Sequence, residues 1–313
     1  MTHSPGSWWA AVLIALATGS CASSPGTTRE GESADDATTV VTLPPAETDA
    51  AEALAGSPRR GEWVEIERAG GDPIATWIVR PQRSGSHPVV LVVHEIFGLT
   101  DWVRAVADRL AEAGYVAVVP DLLSGLGPGG GGTRSVVSRD EVVRLIRGLD
   151  PDEALARLGA VSDFATTVPG ATGQVAVVGF SWGGSTGFAF ALDRTNLEAA
   201  VVYYGSSPPD TAEYHRLETP VLGLYGEDDA EVNATIETAT REMTRYGKRF
   251  EIEIFPGAGH GFLRAQDTRG SVNRSASAQA WQRTLDFLRT HLSLQEKRTQ
   301  DPRTKSMGPA SSP

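Results

Sequence analysis

Cysteine is nearly absent: Cys21 is the single one in 313 residues, so no disulfide can close within the chain. That count neither indicates nor excludes an oxidising compartment. Basic residues are in deficit. Lys and Arg number 28 against 39 Asp and Glu, a formal net charge of −11, which disfavours nucleic-acid binding because that needs a basic face. Long apolar runs are missing too. Trp8 to Ala17 (WWAAVLIALA) is too short for a membrane-spanning helix, which needs about 20 residues. There is no internal repeat, no P-loop and no His/Glu spacing of a metal site. No cofactor or metal is therefore expected.

What is present begins with that short N-terminal run. Followed by small residues, it has the form of a signal peptide over residues 1–21. Thr18-Gly19-Ser20-Cys21 resembles a bacterial lipobox, in which the cysteine is lipidated. An ordinary cleaved signal with a cysteine nearby is the other reading of the same residues. Either way an exported protein is expected, periplasmic or extracellular, with attachment to a membrane through lipidated Cys21 under the first reading. Residues 22–58 are rich in Ser, Thr, Ala, Gly, Pro and acids and read as a disordered tether. A folded domain is expected over 59–293, and a polar tail over 294–313.

Within the domain the apolar pattern alternates between two kinds of segment. Trp63–Glu67 and Ala75–Val79 flank Gly70-Gly71-Asp72-Pro73, a hairpin signal. An unbroken apolar strand follows at Pro88–His94, and further strands at Tyr115–Val119, Ala199–Tyr204, Pro220–Tyr225 and Phe250–Phe255. Between them lie helical patterns at Asp101–Ala113 (Asp101 as N-cap), Asp150–Ala165, Val232–Tyr246 and Ser275–Leu292. A long loop runs from Asp121 to about Asp140. Its Gly125, Gly127 and Gly130 fit G-x-G-x-x-G, but Pro128 and the following glycines do not open a helix, so no dinucleotide fingerprint is read. Strand–helix alternation predicts an α/β fold with a mostly parallel central sheet and helices on both faces. Ligands of such sheets bind at the carboxyl ends of the strands.

The chain is organised around Gln174–Gly187, QVAVVGFSWGGSTG. Val175-Ala176-Val177-Val178 reads as a buried strand, and Gly179-x-Ser181-x-Gly183 is the G-x-S-x-G of a nucleophile elbow. Two further residues follow strands in the chain order Ser…Asp…His of α/β-hydrolases: Asp229 and His260. A serine hydroxyl is a poor nucleophile until an imidazole takes its proton and a carboxylate orients that imidazole. The residues alone leave two choices open. Asp228 competes with Asp229, and His94, also after a strand, competes with His260. The turn His94-Glu95-Ile96-Phe97-Gly98 offers backbone N–H groups that would pair with that of Trp182 as an oxyanion hole. A structural carboxylate that binds backbone amides is the alternative reading of Glu95.

The runs HEIFG, Pro120-Asp121-Leu122, GFSWGG, GEDD and GHGFLR resemble, in order and spacing, the dienelactone hydrolases (carboxymethylenebutenolidases) over roughly Glu62 to Leu292. The resemblance implies an α/β-hydrolase fold without a large cap domain, and hydrolysis of a small-molecule ester or lactone. It assigns Ser181 as nucleophile, Asp229 as orienting acid, His260 as base, and Ile96 and Trp182 as oxyanion amides. Glu95 matches the family glutamate that contacts the resting nucleophile, and Arg264 one of two arginines that bind substrate. The second arginine position falls near Gly125, and Ser181 stands where the family commonly has cysteine, which favours a more general esterase. A non-catalytic extracytoplasmic binding protein on the same scaffold is the reading from a different class. Oligomeric state is not legible.

Overall fold

In a computed structural model, which describes residues 42–292, the apolar runs pair into one sheet of eight strands. In chain order these are β1 (Gly61–Ile66), β2 (Ile74–Val79), β3 (His87–Val93), β4 (Val116–Pro120), β5 (Ala171–Phe180), β6 (Ala199–Tyr203), β7 (Val221–Asp228) and β8 (Phe250–Gly259). Their order across the sheet is β1-β2-β4-β3-β5-β6-β7-β8. The Gly70–Pro73 turn closes an antiparallel pair in which Ile66 faces Ile74. The β2–β4 pairing is also antiparallel, and every pairing from β4 through β8 is parallel.

Eight helices accompany the strands among the described residues: α1 (Ala50–Gly56), α2 (Asp101–Glu112), α3 (Arg139–Gly148), α4 (Pro151–Ala165), α5 (Trp182–Asp193), α6 (Ala230–Asn233), α7 (Ile236–Arg245) and α8 (Val272–His291). Side chains of β3–β7 alternate between two cores. Val90, Val92, Ala176 and Val178 pack toward α2 and α8, and Val89, Leu91, Val175 and Val177 toward α4 and α5. Both faces are covered, as unbroken Val-rich strands require. None of these helices is long and apolar enough to cross a membrane.

The structure departs from the sequence reading in four places. Residues 42–58, read as tether, are folded: α1 packs its buried Ala50 into the core beside α2. The Trp102 indole donates to Pro45 O (3.1 Å) and Gln266 Nε2 to Pro44 O (2.8 Å). Ser57 Oγ and Arg59 both bond the buried Asp108. Second, Thr100 rather than Asp101 holds the N-cap position of α2. Asp101 occupies the first turn, where a carboxylate complements the helix dipole. Third, the helix expected over 232–246 is broken, because Thr235 Oγ1 donates back to Val232 O and accepts the Ser207 N–H. Fourth, α8 starts earlier than expected, its polar first turn serving as anchor. Asn273 Oδ1 accepts the Gly259 N–H (3.2 Å) and Ser277 Oγ donates to Phe262 O (3.1 Å). The glycine-rich loop is tied at its base, with Asp121 Oδ2 accepting the Thr133 N–H and Oδ1 the Thr133 hydroxyl (both 2.7 Å). The signal peptide, Cys21, the first part of the tether and the tail lie outside the described residues.

Candidate active site

The turn after β5 is built from glycines because backbone passes backbone there. A Cβ on Gly179 would lie 2.1 Å from Gly183 O, and one on Gly183 would lie 2.2 Å from His94 O and 2.4 Å from Val93 O. No side-chain movement can relieve either overlap. Gly183→Ala is therefore expected to destabilise the fold by about 3 kcal/mol, read as a lowered urea midpoint. A wild-type midpoint would contradict so close an approach. Between the glycines Ser181 is held at φ 52°, a strained conformation for a non-glycine residue. Its N–H is fixed to Tyr203 O (2.9 Å). The side chain is thereby lifted clear of the sheet edge.

Three strand ends then converge. Ser181 Oγ lies 2.8 Å from His260 Nε2, and His260 Nδ1 lies 2.6 Å from Asp229 Oδ2. Asp229 follows β7 and His260 follows β8. Asp229 is 8% exposed and the His260 side chain 45%. The carboxylate is thus shielded while the imidazole edge stays open to solvent and solute. With Nδ1–H donated to a carboxylate, Nε2 is left as the acceptor for the serine proton. Asn233 Nδ2 steadies the acid loop by donating to Gly226 O (2.8 Å) and Glu227 O (3.2 Å).

The two competing residues are engaged elsewhere. Asp228 pairs with Arg269 at 2.5 Å. His94 is fully buried, with Nδ1 donating to Glu95 O (2.8 Å) and Nε2 accepting the Leu122 N–H (3.2 Å). Burial holds its pKa below the ordinary histidine range. Its role is to bind the end of β3 to the loop after β4, and its ring stacks on Trp182 (5.8 Å).

Ile96 lies in the turn after β3, which Gly183 touches through the backbone of Val93 and His94. Trp182 is the first residue of α5, so its N–H has no partner within the helix. Glu95 is buried, and its Oε2 accepts from Arg264 Nε at 2.6 Å. This corrects the family-derived expectation of a contact with the nucleophile: a guanidinium outcompetes a neutral hydroxyl for a buried carboxylate. Burial pushes the Glu95 carboxyl up from its usual range, against the pull of Arg264. The other oxygen, Oε1, lacks a hydrogen bond among the described residues, and the Tyr204 hydroxyl lies close enough to the carboxylate to interact with it.

Three contributors were not found from sequence. Tyr204 is fully buried at φ 39° and sets its ring edge-on to His260 (5.3 Å). Burial, then the nearby Glu95, raises its pKa well above the ordinary tyrosine value. Its place directly after β6 was the available signal. Glu47 and Arg139 are the other two. Arg139, not a residue near Gly125, is the second guanidinium beside Arg264, and both guanidiniums stack on Phe97. No pattern marked either residue. Next to the elbow, Trp182, Ser185, Leu155, Ala189 and Pro208 help line a cavity of about 270 Å³ that has no charged residue in its wall. Among the described residues there is no group of three or more His, Cys, Asp or Glu side chains placed to hold a metal.

A family model, the dienelactone hydrolase family, matches residues 74–292. A candidate carboxymethylenebutenolidase of Yersinia pestis is 33% identical over 235 residues, covering 71% of this chain and 85% of that protein. One from Escherichia coli K12 is 32% identical over 238 residues, 71% of this chain and 84% of that protein. Among solved structures, a candidate dienelactone hydrolase from Klebsiella pneumoniae superposes with a TM-score of 0.65 at 28% identity, covering 74% of this chain and 98% of that one.

Proposed function

The chain belongs to the dienelactone hydrolase family, a family of hydrolases, and from that premise we propose that it is a serine hydrolase cleaving a carboxylic ester or lactone through an acyl-enzyme. The observation that carries this is the hydrogen-bonded line from Ser181 through His260 to Asp229. His260 Nε2 takes the hydroxyl proton as Ser181 Oγ attacks the carbonyl carbon. The amides of Ile96 and Trp182 receive the developing oxyanion, each such donor being worth about 3–4 kcal/mol in comparable acyl transfers. The protonated imidazole, steadied by Asp229, gives its proton to the departing alkoxide. Water then enters past the open edge of His260, loses a proton to Nε2 and releases the acid, restoring the serine. Glu95 and Arg264 shape the substrate side of the site. Export, and anchoring through Cys21, belong to the same proposal and rest on the N-terminal sequence alone.

The reading as a non-catalytic binding protein is separated by reactivity. An activated serine is expected to react with a fluorophosphonate probe, giving one adduct that mass spectrometry locates on Ser181 and that Ser181→Ala lacks. A wild-type protein left unlabelled would favour the binding reading, since a serine without a working base is inert toward such probes.

A further inference from the structure

One cation beside the catalytic line is held by two carboxylates, and the second comes from outside the region that matches the family. Arg264 sits four residues after His260, its N–H bonded to Gly261 O (3.0 Å). Its Nε donates to Glu95 and its Nη1 to Glu47 Oε2, at 2.6 and 2.5 Å. The remaining Glu47 oxygen, Oε1, lies 3.1 Å from Arg139 Nη1. A single carboxylate thus has each of its oxygens on a different arginine, with Phe97 beneath both guanidiniums at 3.7 Å (Arg139) and 4.9 Å (Arg264). This is the geometry of a carboxylate-binding site, filled by the protein's own side chain.

The segment that delivers Glu47 is not free to swing away. The Glu47 N–H donates to Arg264 O (3.0 Å), Pro44 and Pro45 carbonyls accept from Gln266 and Trp102, and Ala50 is buried. Two arginines, Glu47 and Glu95 sum to no net charge, whereas without Glu47 the site carries an uncompensated cation. Burial disfavours the charge of Arg264, and Glu95 and Glu47 together more than offset this, raising its pKa. Resting on the serine-hydrolase reading, we propose that Glu47 is a specificity-determining residue: its carboxylate fills the Arg139–Arg264 site, so the enzyme takes uncharged esters or lactones and turns away those bearing a carboxylate. The uncharged wall of the cavity beside Trp182 and Ser185 fits the same substrate class.

The test compares 4-nitrophenyl butanoate with the mono-4-nitrophenyl ester of succinate, as the ratio of kcat/KM for the anionic over the neutral ester. Wild type should favour the neutral ester. In Glu47→Gln, which keeps the backbone bond to Arg264 O, the ratio should rise by about tenfold or more, and the gain should shrink in high salt as a charge effect must. The double variant Glu47→Gln/Arg139→Gln should lose most of the gain. Independently of turnover, succinate should bind Glu47→Gln about tenfold more tightly than wild type by calorimetry. An unchanged ratio, an unchanged succinate affinity, or a gain indifferent to both salt and Arg139 would overturn the proposal. If no variant turns over either ester, the serine-hydrolase reading fails, and the succinate affinity alone decides the role of Glu47.

Discussion

Ser181→Ala is expected to lower kcat toward a 4-nitrophenyl ester by about 10⁴- to 10⁶-fold, the range seen when a triad nucleophile is removed. The size follows from the loss of the covalent route itself: among the described residues no other hydroxyl is hydrogen-bonded to His260 Nε2, while the proposed oxyanion donors would remain. Stability should barely move. The Ser181 side chain bonds His260 at the surface and packs no core, and Ala tolerates φ 52° about as poorly as Ser does. Steady-state kinetics with a melting curve on the same sample makes the check. Retention of more than about 1% of wild-type turnover in a folded variant would remove Ser181 from the mechanism.

The second large effect is expected of Asp229→Asn, a fall in kcat of about 10⁴-fold. Asp229 Oδ2 accepts from His260 Nδ1 at 2.6 Å and is shielded from water. An amide in its place can present N–H to Nδ1, which moves the ring proton to Nε2. The imidazole then donates to Ser181 instead of accepting from it. The adjacent Asp228→Asn makes the control. Its carboxylate pairs with Arg269, both side chains about half exposed, and loss of such a surface pair changes rates within about fivefold. Equal losses from the two variants would mean that the orienting carboxylate is wrongly assigned.

Asp228 and Asp229 also show where the residues taken alone stop, since the family resemblance and not their local pattern singles out Asp229. Both follow the same apolar run and both are acids. Neighbouring residues at a strand end point in different directions, and that alone sends one to Arg269 and the other to His260. His94 and His260 differ in the same way: each follows a strand, but only the packing of Leu122 and Glu95 around His94 shows both its nitrogens in use. Residues 42–58 differ from the tether expected of them for a related reason. Their composition is that of a tether, since few of them are large and apolar. Their order comes from Trp102, Asp108 and Gln266, which the local sequence does not contain.

The amino-acid order by itself determined the alternation of buried strands with helices, the glycine-framed serine turn, and the Ser…Asp…His succession, because these depend on local periodicity and on what a tight turn can hold. Tertiary structure alone decided that Glu95 turns to Arg264 and that Glu47 arrives between two arginines. Those outcomes are pairings of charges brought from 169 to 217 residues apart in the case of Arg264, and at that separation only the path of the folded backbone sets which partners touch.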